Sequence, residues 1–489
     1  MSLKQKAITS TIWSICQSWG TQFISLIVFS LLARLINPEN FGLIALASTF
    51  LAFITIFLDQ GFSTAIIQRK ELEEEHLNTA FWTNIGIAGL MTLITIVLAG
   101  EVANFFNQPN LTPVIRWLSL SFLIGSLNSV QTAIFQRKLD FKPLAIRSLI
   151  ATLTGGVVGI SMALMGCGVW SLVGQQLTNG LIQAIVIWWA SDWRPKLSFS
   201  ERHFRDLFSF GINIIGINIL GFLVTRSDNI LIGYFLGPVA LGYYDLAYRL
   251  FMVVTGLFVG VITSTAMPIF SSIQEDLPRL RNTLYNLVEL SNTIAFPVFL
   301  GMSALAPELI VVIFGKHWEA SIPVFQILNI AGLLYGGFYF NAPLMMAMAK
   351  PDWKLKLDIY RTFIYFLAFL IGINWGIIGV SLGFVLSAYL GSSWVTVLLV
   401  QKLIKINILT YLSKFFTPLI NSLIMFLIIL TAKYLLFNNI SPNKTSLLIL
   451  SSLGAVTYII CLYLLSNSYF MKIFQFAKNI IYNIGITPK

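Results

Sequence analysis

FGLIALASTFLAFITIFL, from Phe41 to Leu58, contains no charged side chain over 18 residues. Such a run is long enough to cross the ~30 Å hydrocarbon core of a bilayer as a helix. In hydrocarbon every backbone amide needs an internal partner, and a helix supplies one within the segment. Similar runs recur from one end of the chain to the other. The short alternating segments of a membrane barrel are missing. Of the 489 residues, 57% are hydrophobic and 10% are charged, against about 25% charged in a soluble domain. The fold class is therefore an all-α polytopic membrane protein, with no room for a soluble catalytic domain.

Working outward from Phe41–Leu58, fourteen helices are expected, over 9–36, 41–66, 77–106, 111–136, 143–166, 168–190, 206–236, 238–270, 282–314, 320–348, 354–375, 376–404, 411–438 and 444–467. Twelve or thirteen is the alternative, because the fifth and sixth, and the eleventh and twelfth, are divided only by glycine-containing turns. The N-terminus, with Lys4 and Lys6 ahead of an apolar run reaching Ile36, reads as an uncleaved first helix rather than a signal peptide. Cys16, Cys167 and Cys461 lie in or beside apolar runs and are expected to be buried small hydrophobes.

The net charge of +11 does not point to nucleic acid, because the basic residues gather in alternate short loops. One set carries Arg69, Lys70, Arg137, Lys138, Lys142, Arg147, Arg194, Lys196, Arg202, Arg205, Arg279, Arg281, Lys350, Lys354, Lys356, Lys402, Lys405 and Lys414; the other carries Arg34, Lys316 and Lys444. Excess Lys and Arg marks the cytoplasmic side. Both termini are basic and join that side, which an even number of helices requires. Two amphipathic stretches are expected on the cytoplasmic surface, one over Lys196 to Phe208 and one after Ser468.

The chain repeats itself with an offset of 200 residues. Pro38, Gly42, Leu46 and Ala47 meet Pro238, Gly242, Leu246 and Ala247. Leu98-Ala99-Gly100-Glu101 resembles Leu305-Ala306-Pro307-Glu308, and Asn78-Thr79 resembles Asn282-Thr283. The offset spans six helices, an even number, so the halves share one orientation, as in transporters built from parallel repeats. The expected division is an N-lobe over 1–205, a C-lobe over 206–405, and helices 13 and 14 with an amphipathic tail over 406–489.

No Gly-rich phosphate loop with a lysine–hydroxyl ending occurs, and Gly315-Lys316-His317 is no substitute. No His/Cys/Glu cluster points to a metal. No long extracytoplasmic loop is available to carry an enzyme site. The expectation is a transporter without a cofactor, with H+ or Na+ as candidate coupling ions.

Ionisable residues at bilayer depth cost ~2.5–3.5 kcal/mol or more and usually face a cavity or a partner. The candidates are Asp59, Arg226, Asp228, Asp245 and Arg249, with Asp358 and Arg361. Asp245 and Arg249, four apart, share a helix face and read equally as an ion pair near the membrane edge. Arg226 and Asp228 point to different faces, so at least one needs a partner elsewhere. Asp59 is a candidate ion carrier or a helix brace. Ser14, Gln17, Ser18, Thr21, Gln22 and Ser25 form a polar stripe on the first helix that reads as the wall of a wet cavity. Asn213 lies on its repeat mate. Gln175, Gln176, Asn179, Gln183, Gln326, Asn329 and Asn341 suit sugar hydroxyls, or serve as glue between helices. Tyr335, Phe338, Tyr339 and Phe340 suit stacking on sugars, with packing the preferred reading.

ARLINPENFGLIALA (Ala33–Ala47), Asp59-Gln60-Gly61, Ala65-Ile66-Ile67-Gln68-Arg69, RSDNILIGYFLGPVALGYYDLAYRL (Arg226–Leu250) and IFGKHW (Ile313–Trp318) resemble the polysaccharide transporter branch of the multidrug/oligosaccharidyl-lipid/polysaccharide flippase superfamily. Wzx-type flippases for O-antigen, colanic-acid and exopolysaccharide units are the most similar members. The resemblance implies two six-helix lobes around a central, often cationic cavity, plus two further helices. It implies movement of undecaprenyl-pyrophosphate-linked oligosaccharide from the cytoplasmic to the periplasmic leaflet of a bacterial inner membrane by alternating access. The expected partners are that lipid, the bilayer, a polysaccharide polymerase and glycosyltransferases, with the chain a monomer and no nucleic acid involved. On that substrate Arg226, with Arg249 as a weaker second cation, is the candidate for holding pyrophosphate, because guanidinium matches its geometry. The alternative is a cation-coupled exporter of small molecules, which would favour carboxylates in its cavity.

Overall fold

The computed structural model describes residues 3–58, 62–69, 71–201, 218–219, 221–223, 225–437 and 440–465. It is all-helical among those residues. The chain divides into two compact units, Met1–Asp245 and Leu246–Lys489.

The first unit contains α1 (Leu3–Leu35), α2 (Pro38–Leu58), α3 (Phe62–Gln68), α4 (Glu74–Phe105), α5 (Leu111–Arg137), α6 (Phe141–Leu164), α7 (Val169–Ala190) and α8 (225–235). It also holds the start of α9 (Gly237–Ser272). α6 packs between α1 and α7, while α5 packs against α2, α3, α4 and α7. α1 has 33 residues, more than a membrane span needs.

Proline opens the first turn of both α2 and α9, where its missing N–H costs no hydrogen bond. Four residues on, Gly42 and Gly242 let the two helices touch backbone to backbone. A Cβ on Gly42 would lie 1.7 Å from the carbonyl oxygen of Pro238, and a Cβ on Gly242 would lie 2.0 Å from that of Pro38. The contact is reciprocal, so residues that repeat in sequence also repeat in role. Leu46, Ala47, Leu246 and Ala247 are all buried.

The second unit contains the rest of α9, then α10 (Leu277–Ala304), α11 (Ala306–Phe314), α12 (Ser321–Phe338), α13 (Asn341–Ala347), α14 (Pro351–Gly372), α15 (Gly376–Leu386), α16 (Trp394–Ile404), α17 (Ile408–Phe437) and α18 (Lys444–Leu465). α10 packs against both α12 and α17, and α17 holds α18. α18 shows how sequence dictates this packing. Ser446, Leu450, Gly454, Thr457, Tyr458, Cys461 and Leu462 are buried, at helical spacing, while Leu448, Ile449, Val456, Ile459, Ile460 and Tyr463 are exposed. An exposed face that apolar is the opposite of a soluble helix and suits lipid. The Tyr458 hydroxyl donates a 2.6 Å hydrogen bond to the carbonyl of Thr293, fastening α18 to α10.

Ten helical stretches among the described residues are long and apolar enough to cross a membrane. One of them, Pro351–Ile404, has 54 residues and covers two of the expected helices. Its interior break is Ile373–Trp375 followed by Gly376 at φ +68°. Two further expectations merge what the structure separates. Expected helix 282–314 breaks at Leu305, and 320–348 divides into α12 and α13; within expected helix 41–66, residues 59–61 lie outside the described residues. Apolar composition persists through the breaks at Leu305 and at Tyr339–Phe340, so hydropathy does not register them.

Residues 192–200, inside the expected amphipathic stretch or just before it, form no helix. They lie as a strap along α4. The backbone N–H groups of Lys196 and Ser200 donate to Asn78 Oδ1 (2.9 Å) and Thr79 Oγ1 (3.2 Å), and Trp82 Nε1 donates to the Lys196 carbonyl (2.9 Å). Side chains of α4 thus satisfy the backbone and remove the incentive for a helix. The expected stretch after Ser468 lies outside the described residues. Of the cysteines only Cys461 is buried; Cys167 is partly exposed and Cys16 is exposed, because α1 buries only the face turned to α6.

Candidate functional site

Among the described residues of the first unit, α5 lines two polar hollows. Its residues Ser121, Gly125, Ser129, Thr132 and Gln136 follow one another at spacings of three and four, which puts them on one helix face.

The larger hollow, about 450 Å³, lies among α2, α3, α4, α5 and α7. Its polar wall is Ser48, Thr55, Ser63, Asn84, Ser121, Ser126, Ser129 and Gln176, with no charged residue among the described residues of the lining. Asn84 Nδ2 donates to Ser129 Oγ at 2.9 Å, which fixes its amide. Hydroxyls and amides donate and accept at once, so such a wall offers both halves of a hydrogen bond to a ligand hydroxyl. The volume falls in the range of ~300–1,000 Å³ usual for ligand sites.

The second hollow, about 370 Å³, lies among α1, α5 and α6. Ser14, Gln17, Ser18 and Thr21 of α1 line it, so most of the stripe expected to wall a cavity does so. Gln22 and Ser25 lie outside this lining, and Gln22 is exposed. Gln17 Nε2 donates to Ser148 Oγ on α6 at 3.0 Å. Opposite stand Thr132, Gln136 and Arg147. Arg147 sits about two turns inside α6 and is only 9% exposed. Sequence reasoning placed it among the loop cations, since three other basic residues lie within ten positions of it. The signal that marks its surroundings is the polar face of α5.

The other candidates fall elsewhere. Asp59 and Asn213 lie outside the described residues. Arg226 is half-buried on α8, and Arg249 is exposed and Asp245 half-buried on α9; none lines either hollow. Asp228 is buried, with Oδ2 accepting from the Tyr244 hydroxyl and Oδ1 from the backbone N–H of Asn229, each at 2.8 Å. Asp358 accepts from Lys354 at 2.6 Å, and Arg361 Nη2 donates to Thr396 Oγ1 at 3.0 Å.

Several amides act as glue. Gln326 Nε2 donates to the Ser303 carbonyl (3.3 Å) and Asn341 Nδ2 to the Tyr411 hydroxyl (3.3 Å), whereas Gln183 Nε2 donates to Asn179 Oδ1 (2.6 Å) within α7 itself. The aromatics of α12 pack on protein. Tyr335 stacks on Tyr339 at 4.9 Å and meets Phe251 edge-on at 5.6 Å, Phe338 lies 5.3 Å from Phe415, and Phe340 is buried. A third hollow, about 240 Å³, lies in the second unit and is walled mainly by apolar side chains, among them Phe296, Leu333, Phe338, Trp394 and Phe415.

Known proteins agree with this picture. The family described as "Polysaccharide biosynthesis protein" matches residues 31–323. The lipopolysaccharide biosynthesis protein WzxC of Escherichia coli K12 is 29% identical over 389 residues, 79% of each chain. The succinoglycan biosynthesis transport protein ExoT of Rhizobium meliloti is 26% identical over 331 residues, 68% of this chain and 67% of its own. Among solved structures, the lipid II flippase MurJ in an inward closed conformation superposes with a TM-score of 0.76 at 15% identity, covering 94% of this chain and 99% of that one. The fold is thus of the MurJ type, and the resemblance read from the motifs holds. A multi-pass membrane protein whose relatives are transporters and flippases rather than enzymes, this chain belongs to the polysaccharide biosynthesis protein family.

Proposed function

We propose that the chain is a flippase for lipid-linked oligosaccharide in polysaccharide biosynthesis. It carries an undecaprenyl-pyrophosphate-linked repeat unit from the cytoplasmic to the periplasmic leaflet of the bacterial inner membrane. The observation that carries the reading is the hollow whose wall of hydroxyls and amides comes from Ser48, Thr55, Asn84, Ser129 and Gln176, amid helices otherwise built for lipid. A glycan headgroup is barred from hydrocarbon by the cost of stripping its hydroxyls of water. A wall of hydroxyls and amides replaces that water, while the polyprenyl tail stays in lipid.

The remaining parts of the reading follow from this one. Movement is by alternating access of two lobes, 1–205 and 206–405, each of six helices in a total of fourteen, with both termini cytoplasmic. Arg226 and Arg249 are further cations for the headgroup, and Asp59 and Asp245 are candidate carriers of H+ or Na+. Asp228, with its two hydrogen bonds from Tyr244 and Asn229, is better suited to bracing α8 against α9. The chain acts as a monomer beside a polymerase and glycosyltransferases. A small-molecule exporter coupled to a cation would call for a carboxylate in the hollows, and among the described residues neither polar lining includes one.

Deletion in the native strain tests the proposal. Surface polysaccharide should fall to background, and lipid-linked repeat units should accumulate on the cytoplasmic leaflet, protected from a glycosidase added outside spheroplasts. Undiminished polysaccharide in the deletion strain overturns it.

A further inference from the structure

Among the described residues, Arg147 is the one charged side chain lining the hollow among α1, α5 and α6. Its Nη1 donates to Thr132 Oγ1 at 2.8 Å, its buried Nε reaches no partner, and among the described residues no carboxylate lies within ion-pair distance. Arg137, ten residues earlier, shows what a structural arginine looks like here. Its Nη1 donates to the carbonyls of Ile66 (2.7 Å) and Arg69 (2.5 Å), tying α5 to the end of α3. Arg147 has no such carbonyls. A buried cation without a counter-charge is costly unless an anion or water completes it. The rest of the wall supplies hydroxyls and amides from Ser14, Ser18, Thr21, Gln17 and Gln136. Lys142, next to the lining residue Phe141, adds positive charge nearby, its Nζ 5.8 Å from the ring centre of Trp13.

We propose that this hollow is an oxyanion subsite in which Arg147 holds the acidic group of the lipid-linked glycan. The inference rests on the flippase reading and deepens it. A guanidinium presents a planar fork of donors, so its match is a group with two adjacent oxygens sharing negative charge. Two parts of such a substrate have that chemistry: the pyrophosphate joining lipid to sugar, and the carboxylate of an acidic sugar. Thr132 orients the fork from α5, and Gln17 and Gln136 reach the neighbouring sugar or phosphate oxygens.

The test uses the full chain in phosphatidylcholine nanodiscs, titrated with geranyl pyrophosphate, geraniol, glucuronate and glucose, with tryptophan fluorescence as the readout. If pyrophosphate is the ligand, geranyl pyrophosphate saturates the wild type and geraniol does not. If an acidic sugar is the ligand, glucuronate saturates it and glucose does not. In either case Arg147→Gln should raise the midpoint at least tenfold and Arg147→Lys by a smaller factor, because ammonium keeps the charge and loses the fork. Without ligand, Arg147→Gln should melt no lower than wild type, whereas a structural arginine would lower the melting temperature.

Should Arg147→Gln fail to accumulate, Ser18→Trp decides. Ser18 is exposed and lines the hollow, so a tryptophan there should obstruct it. It should abolish saturation by the same probe. Midpoints within twofold of wild type in Arg147→Gln, or in Ser18→Trp, overturn the proposal, as does a wild type that none of the probes saturates. Complementation separates the two readings. If the deletion strain exports normally, the flippase reading fails. If the deletion blocks export but Arg147→Gln at normal abundance restores it fully, only the subsite fails.

Discussion

Adding one methyl group at Gly42 should damage this protein more than any such change in an open glycine. A Cβ there would stand 1.7 Å from the Pro238 carbonyl oxygen, whereas real Cβ contacts essentially never fall below 3.0 Å. Gly42→Ala therefore forces the starts of α2 and α9 apart by at least 1.3 Å. The obstacle is backbone, so no rotamer change relieves it. Overpacking of this kind costs ~1–3 kcal/mol, and a rigid backbone partner puts it at the upper end, about 3 kcal/mol. Gly242→Ala meets the mirror obstacle, the Pro38 carbonyl at 2.0 Å, and should behave alike. Gly100→Ala in α4 is the control, because nothing lies within 4 Å of its new Cβ. There alanine's higher helix propensity applies, worth up to ~1 kcal/mol in favour. The assay is the melting midpoint of detergent-solubilised protein followed by size exclusion with a fluorescent tag, together with abundance in the membrane. Gly42→Ala and Gly242→Ala should each melt clearly below wild type, and Gly100→Ala at or above it. Equal midpoints for Gly42→Ala and Gly100→Ala would refute the reasoning.

Glu308 is buried on α11, and both of its oxygens lie near Lys433 Nζ, at 2.8 and 3.0 Å. Lys433→Met strands that carboxylate and should destabilise by about 3 kcal/mol, while Glu308→Leu/Lys433→Met should recover most of the loss, as a melting series on the single and double variants will show. The orientation is checked by single cysteines in a cysteine-free background. Lys138, Arg194 and Lys354 should react with an impermeant maleimide only after the membrane is opened, and Gln108 and Lys316 from outside intact spheroplasts. Lys138 is preferred to Arg137, whose guanidinium ties α5 to α3.

Phe41–Leu58 and its fellow runs determine by themselves that the chain is helical and crosses a membrane. Hydrocarbon leaves the backbone no other way to satisfy its amides, so composition alone decides the matter. The correspondence of Pro38/Gly42 with Pro238/Gly242 is equally legible, because both pairs answer to a backbone crossing that only glycine permits. The first-helix stripe identifies one wall of a polar hollow, since period alone assigns residues to a face. What period does not assign is the neighbour. That Lys433 answers Glu308 across 125 positions, and that Asp228 is held by Tyr244, depends on which helices pack together. The same holds for Arg147. In sequence it is one more cation near a basic loop. Only the packing of α1, α5 and α6 turns its side chain into the wall of a hollow and leaves it, among the described residues, without a carboxylate. A charge's depth and company are properties of the assembled helices, because the free energy of a buried ion is set by whatever replaces its water.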